Sequence, residues 1–131
     1  MEPIGLYIHV PFCTQKCPYC DFYSLTHTKQ MRDYTDCIID KLYTYRNVVG
    51  GNADTLYFGG GTPSTLGANR LCSIIDEAKN CFGLEQAEIT VEVNPSGQLE
   101  DLLDALAQKG VNRISIGMQS AHAEELDLLG R

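Results

Sequence analysis

Cys13, Cys17 and Cys20 fall within eight residues, in the run Cys13-Thr-Gln-Lys-Cys17-Pro-Tyr-Cys20, a C-x3-C-x2-C spacing. Thiolates are soft ligands, and a cluster of them in a chain without secretion signals reads as a metal or catalytic site before it reads as disulfides. A structural zinc site takes four protein ligands, usually as two pairs separated by a longer loop. Three thiolates in one tight loop match instead three irons of a cubane [4Fe-4S] cluster, whose fourth iron stays open to a ligand. An open iron is a chemical site, whereas a fully ligated cluster more simply carries electrons. Zinc completed by His9 or His27, and a loop of unligated thiols, are the other two readings of the triplet. Cys37, Cys72 and Cys81 are scattered through helical segments, where a small buried hydrophobe is the expected role of each.

Other residues could serve a ligand near those thiols. Gly59-Gly60-Gly61-Thr62 ends a strand-like run, and residues without a Cβ let a ligand approach the backbone and permit positive φ. It is no phosphate loop, because no Gly-Lys-Ser/Thr follows, and no dinucleotide fingerprint, because Ser64 stands where the last glycine would be. A tight strand-to-helix turn would use the same glycines. Glu92 closes another strand, where a carboxylate could accept hydrogen bonds from a ribose or face a cation, and Gln119 follows the next, offering donor and acceptor.

The elements that must position these groups alternate. Leu6–Val10, Thr55–Phe58, Ile89–Val93 and Arg113–Met118 are rich in β-branched and aromatic residues and end at Pro, Gly or Asn. Between them Met31, Tyr34, Ile38, Leu42, Tyr45 and Val49 mark one helix face, Leu71, Ile74, Ile75 and Ala78 a second, and Leu99, Leu102, Leu103 and Leu106 a third. Gly110 stands where a helix-ending glycine is expected, and Glu124 and Glu125 open a fourth helix. Strand-helix alternation predicts an α/β fold with a parallel sheet and right-handed crossovers.

Within the strands one face is apolar, whereas the other carries Tyr7 and His9, Thr55 and Tyr57, Thr90 and Glu92, then Ser115 and Gly117. A doubly wound sheet, covered on both sides, would be apolar on both, so the pattern predicts a curved, barrel-like sheet around a polar ligand. A sheet with one solvent-facing side is the plainer alternative. Four parallel strands do not close a barrel. The expectation is therefore a partial parallel (β/α) barrel holding the first four βα units, residues 1–131 being the N-terminal part of a longer domain, with apolar faces left uncovered and an aggregation-prone isolated chain.

A chain of 131 residues buries a core without staples. Ten Lys and Arg against 17 Asp and Glu, a net charge of -7, disfavour a nucleic-acid partner. No run approaches a transmembrane length and no basic region precedes Leu6–Phe12, so the expected location is the reducing cytoplasm.

With C-x3-C-x2-C after the first strand of a βα series, the chain resembles the radical S-adenosylmethionine superfamily. Gly5–Cys13, Leu56–Ser64, Ile89–Pro95 and Arg113–Ser120 resemble, within it, the branch of oxygen-independent coproporphyrinogen III oxidases and HemW-like haem chaperones. The oxidase pattern carries a fourth cysteine two residues after the third; here that place is Phe22, as in the chaperone-like group. The resemblance implies that Cys13, Cys17 and Cys20 hold a [4Fe-4S] cluster and that S-adenosylmethionine binds at its open iron. It carries Tyr7, Gly60, Gly61, Thr62, Glu92, Gln119 and Arg131 over as cofactor-binding positions, Arg131 being a terminal residue and so expected to be poorly held. Tyr19, between two of the cysteines, is placed to cover the cluster and tune its potential. The resemblance further implies haem or a porphyrin as ligand, held by regions beyond this chain, a haem acceptor protein and an electron donor protein, toward which Lys16 could steer. The three functions to separate are a haem chaperone, an oxidase decarboxylating porphyrin propionates, and a zinc-stabilised binding module.

Overall fold

Among the described residues, alternating apolar residues form four strands, β1 (Ile4–Val10), β2 (Ala53–Gly60), β3 (Glu88–Val93) and β4 (Arg113–Ile116). In this computed structural model, which describes residues 2–13, 18–19, 29–95 and 99–131, they pair in parallel in the order β1-β2-β3-β4. The helices α1 (Met31–Val49), α2 (Ala68–Phe82) and α3 (Leu99–Gln108) connect them, and α4 (Ala123–Leu128) follows β4. A short 3-10 turn, Pro63–Leu66, leads from β2 to α2. This is the expected partial parallel (β/α) barrel. Lys16, Cys17, Cys20, Phe22 and His27 lie outside the described residues.

The core explains why the sheet is one-sided. Val10, Leu56, Phe58, Ile89, Val91 and Val93 all point to one face and are at most 2% exposed, against the fully buried Leu71, Ile74, Ile75 and Ala78 of α2. Each such Val, Leu, Ile or Phe side chain contributes about 1.5–3 kcal/mol by leaving water. Helix α2 is central, packing on α1 to one side and α3 to the other. The opposite sheet face keeps Tyr7, His9, Tyr57 and Glu92 at least partly exposed.

Strand lengths depart from expectation in an instructive way. Strand β2 runs on through Gly59 and Gly60, because these pair in register with His9 and Val10 of β1. Strand β4 stops at Ile116, two residues early, where Met118 N–H turns back onto the Ile116 carbonyl. Ile116 and Met118, expected on the packed face, are 52% and 56% exposed. The last turn of α1 also diverges: Tyr45 and Val49 border an open groove of about 560 Å3 along the outer edge of β1 rather than the core. Cys37 is exposed, not buried, on the outer face of α1; Cys72 is half-buried and donates to the Ala105 carbonyl, and Cys81 is buried as expected. Among the described residues no helix is long and apolar enough to cross a membrane.

Candidate functional site

Parallel strands all point one way, so their C-terminal ends form one rim, the edge at which parallel barrels place their ligands. There β1 hands on to Cys13, β2 to Gly61 and Thr62, β3 to Asn94 and β4 to Gly117. The β1–β2 ladder continues past both strands: Gly61 N–H donates to the Val10 carbonyl at 2.7 Å and Thr62 N–H to the Phe12 carbonyl at 2.6 Å. This close pairing accounts for the glycines. A Cβ on Gly61 would stand 2.6 Å from the Phe12 oxygen and 3.0 Å from Cys13 Sγ; on Gly60, whose φ is +110°, it would stand 2.8 Å from the His9 ring. The His9 ring and Val10 carbonyl at Gly60, and the Phe12 carbonyl and Cys13 sulfur at Gly61, take the space that side chains would fill.

Cys13 is buried, and its Sγ lies 3.5 Å from Thr62 Oγ1. Asn94 donates from Nδ2 to the same Thr62 oxygen at 3.2 Å. Arg131 in turn donates to Asn94 Oδ1 at 3.2 Å and to the Gly117 carbonyl at 2.8 Å. Far from being poorly held, this terminal arginine is half-buried and ties α4 to the ends of β3 and β4. Gln119 has φ 65°, an uncommon left-handed setting for a non-glycine, and its Nε2 lies over Gly117, 3.0 Å from where a Cβ would be.

A second group occupies the polar sheet face. Tyr57 donates to Glu92 Oε1 at 2.6 Å, and Tyr7 stacks on Tyr57 with ring centroids 6.1 Å apart. Tyr7 Oη and His9 Nδ1 are 3.0 Å apart, while Tyr34 donates to the His9 carbonyl from the other side. The Glu92 hydrogen bond, then burial, pushes the Tyr57 phenol above its ordinary range. Burial, then the Glu92 charge, does the same for Tyr7, and burial, then Tyr7, for Tyr34. Glu92 is thus presented at the rim with one oxygen held by a phenol that stays protonated.

The structure therefore links Cys13, Thr62, Arg131 and Gly117 by a chain of polar contacts running along the rim from β1 to β4, with Gln119 over Gly117, and joins Tyr7 and Glu92 through Tyr57 on the polar face. Tyr19 lies in an exposed turn, and the cysteines on either side of it are outside the described residues. Among the described residues no three His, Cys, Asp or Glu side chains converge on a metal position. What is described fits a cluster ligand: a buried thiol, a hydroxyl beside it, and a glycine whose missing Cβ leaves the sulfur room. The motifs single out neither Asn94 nor Tyr57. Asn94 stands two residues beyond Glu92, and so falls on the same face by strand alternation. Alternation places Tyr57 on the polar face too, but no sequence signal pairs it with Glu92, since the β2–β3 register decides that.

A sequence profile of the Radical SAM superfamily matches residues 7–131. The chain is 39% identical to Heme chaperone HemW of Escherichia coli strain K12 over 100% of its own length and 36% of that protein. It is 35% identical to Heme chaperone HemW of Mycobacterium tuberculosis strain CDC 1551, over 99% of the chain and 35% of the relative. Against Radical S-adenosyl methionine domain-containing protein 1, mitochondrial, of Mus musculus it is 33% identical, over 97% and 29%. Among solved structures it superposes on coproporphyrinogen III oxidase (HemN) from Escherichia coli, described as a radical SAM enzyme. That match has TM-score 0.90 and 30% identity, and covers 98% of this chain and 31% of the other. The chain thus spans about a third of the length of these relatives.

Proposed function

The chain belongs to the radical SAM superfamily, and on that premise we propose that it is the N-terminal part of a HemW-like haem chaperone. Cys13, Cys17 and Cys20 hold a [4Fe-4S] cluster; Tyr7, Gly60, Gly61, Thr62, Glu92, Gln119 and Arg131 form the S-adenosylmethionine site, with Tyr19 over the cluster. The observation that carries the reading is the convergence at one rim of Cys13 Sγ, the Thr62 hydroxyl, the Asn94–Arg131 pair and the Tyr57–Glu92 pair. Relatives named heme chaperone and the phenylalanine at position 22 support the chaperone over the oxidase.

Cluster and S-adenosylmethionine together supply one-electron reductive chemistry. The chain's own residues bind and orient. Glu92, with Oε1 occupied by Tyr57, offers its second oxygen to a donor such as a ribose hydroxyl or to a cationic centre. The close backbone pairing at Gly61 and Thr62 fixes Val10 and Phe12, just before Cys13, against β2, and Arg131 fixes the ends of β3 and β4. Haem and its acceptor would engage parts of the protein beyond these residues, with an electron donor protein reaching the exposed turn at Tyr19, in a reducing cytoplasm.

A coproporphyrinogen III oxidase is the second reading, favoured by the TM-score of 0.90 to that enzyme. Anaerobic reconstitution of the intact protein with iron and sulfide, then electron paramagnetic resonance with and without S-adenosylmethionine, tests the shared site. A cubane signal that changes on adding the cofactor is expected; one indifferent to it, in folded protein, points to a fourth protein ligand. Haem titration against a decarboxylation assay then separates chaperone from oxidase.

A further inference from the structure

Asn94 is assigned no role by the motifs, yet it joins two polar ties that carry the cysteine corner across from β2 to the end of α4: it donates to Thr62 Oγ1 and accepts from Arg131. The direction of each step is forced by chemistry. A guanidinium has donors and no acceptor, so the atom of Asn94 facing Arg131 is its carbonyl oxygen. The amide nitrogen then faces Thr62 and fills an acceptor position of the hydroxyl. Among the described residues, the neighbour left to receive the hydroxyl proton is Cys13 Sγ, at 3.5 Å. An iron-bound thiolate has no proton to give, so the Thr62 O–H points at the sulfur.

We propose that Asn94 is a positioning residue: by fixing the Thr62 hydroxyl as a donor to Cys13 Sγ, it makes the reduction potential of the cluster depend on the Arg131–Asn94–Thr62 chain. The proposal rests on the reading of Cys13 as an iron ligand. A hydrogen bond to a ligand sulfur stabilises the reduced, more negative cluster and raises its potential. Because Arg131 stands at the end of α4 and also holds the Gly117 carbonyl, any ligand that draws Arg131 away frees Asn94 to turn and lets the hydroxyl leave the sulfur. Occupancy at the β4 end of the rim is thereby communicated to the cluster at the β1 end through three side chains.

The test is a redox titration, followed by electron paramagnetic resonance, of the intact reconstituted protein and four variants. Thr62→Val removes the donor at constant shape, and Thr62→Ser keeps it. Asn94→Asp turns the amide donor into an acceptor that competes for the Thr62 proton, and the double variant Thr62→Val with Asn94→Asp isolates the effect of the added charge. Thr62→Val is expected to lower the reduced-to-oxidised ratio at fixed poise about tenfold, or about 59 mV for one electron, and Thr62→Ser to restore most of it. Asn94→Asp is expected to lower the ratio more in the native background than in the Thr62→Val background. Equal effects in both backgrounds would mean charge alone and overturn the relay. Pulsed double-resonance spectra in heavy water provide a readout independent of Asn94: an exchangeable proton coupled to the cluster should vanish in Thr62→Val, and its persistence there overturns the proposal. Failure of any cubane to form on wild-type protein would remove the iron-ligand reading as well, whereas a normal cubane with unmoved potentials removes the relay alone.

Discussion

The two ends of the sheet are built differently. Strands β1 to β3 bury their apolar face under α1 and α2, with Phe58, Leu56, Val91 and Ile75 fully enclosed. Strand β4 is four residues long, none of them buried, and α4 buries nothing. Ile114 still packs against the core, but that end leans on polar ties: Asn112 accepts from Ile89 N–H and donates to the Ala87 carbonyl at the start of β4, and Arg131 grips Asn94 and Gly117 at its close. Both ends deliver residues to the same rim. Burial fixes the positions at one, and a few directional hydrogen bonds fix them at the other, so the first should govern whether the protein folds and the second how the site is set.

The sharpest break of that contrast is a pair of truncations. Phe58→Ala removes a side chain with no exposure and should cost about 3–5 kcal/mol. Met118→Ala, at 56% exposure, should stay within about 0.5 kcal/mol. Denaturant unfolding of both variants measures this, and comparable losses would erase the distinction between the ends.

Gly61→Ala comes next, because it strikes where the packed end meets the cysteines. Its new methyl would overlap the Phe12 carbonyl, so β1 and the Cys13 loop must move. Overpacking of this kind costs about 1–3 kcal/mol, and iron incorporation should fall with it. A variant that assembles a cluster as well as the native protein would show that the glycine is not there for the cysteine loop.

The packed end is also the legible one. Strand alternation locates its apolar face, the spacing Leu71, Ile74, Ile75, Ala78 locates α2, and the C-x3-C-x2-C loop announces chemistry by residue type and spacing alone. The polar end is harder to read. Periodicity continues the apolar face through Ile116 and Met118, but periodicity reports which residues share a face and not whether anything covers it. Arg131 reads as a loose terminus because its partners, Asn94 and Gly117, are 37 and 14 residues away in sequence. The Gly-Gly-Gly-Thr run reads as a ligand approach, whereas its described neighbours are the rings of Tyr7, Tyr57 and His9, the Val10 and Phe12 carbonyls and the Cys13 sulfur.

A smaller effect separates the two groups within the site. Tyr57→Phe keeps the ring stacked beneath Tyr7 and removes only the hydroxyl bonded to Glu92. Folding stability should drop by about 1 kcal/mol, and S-adenosylmethionine binding by up to about tenfold, because Glu92 then samples other rotamers. Calorimetric titration of the reconstituted protein checks this; unchanged affinity would leave Glu92 positioned by its strand alone.

The last contrast is in pH. Every tyrosine of the chain lies at or before Tyr57, so none belongs to β4 or α4. The phenols of Tyr7, Tyr34 and Tyr57 are all raised, Tyr34 furthest, by burial and then by Tyr7. A group whose folded pKa lies above its unfolded value binds more protons when folded once the pH passes that unfolded value, so unfolding becomes easier as the pH climbs. The stabilisation is complete below about pH 10, the ordinary phenol value, and is lost as the pH rises through the folded values. Between pH 7 and 9 these phenols should leave stability flat, and above about pH 10 it should fall, with Tyr34 ionising together with unfolding. Tyr34→Phe should reduce the alkaline slope while lowering stability at neutral pH, since the hydroxyl that donates to the His9 carbonyl is gone. Absorbance at about 295 nm follows tyrosinate formation and circular dichroism follows the fold; an ionisation of Tyr34 that runs ahead of unfolding would mean that the corner between β1 and α1 opens to solvent by itself, and that the packed end is not one cooperative unit.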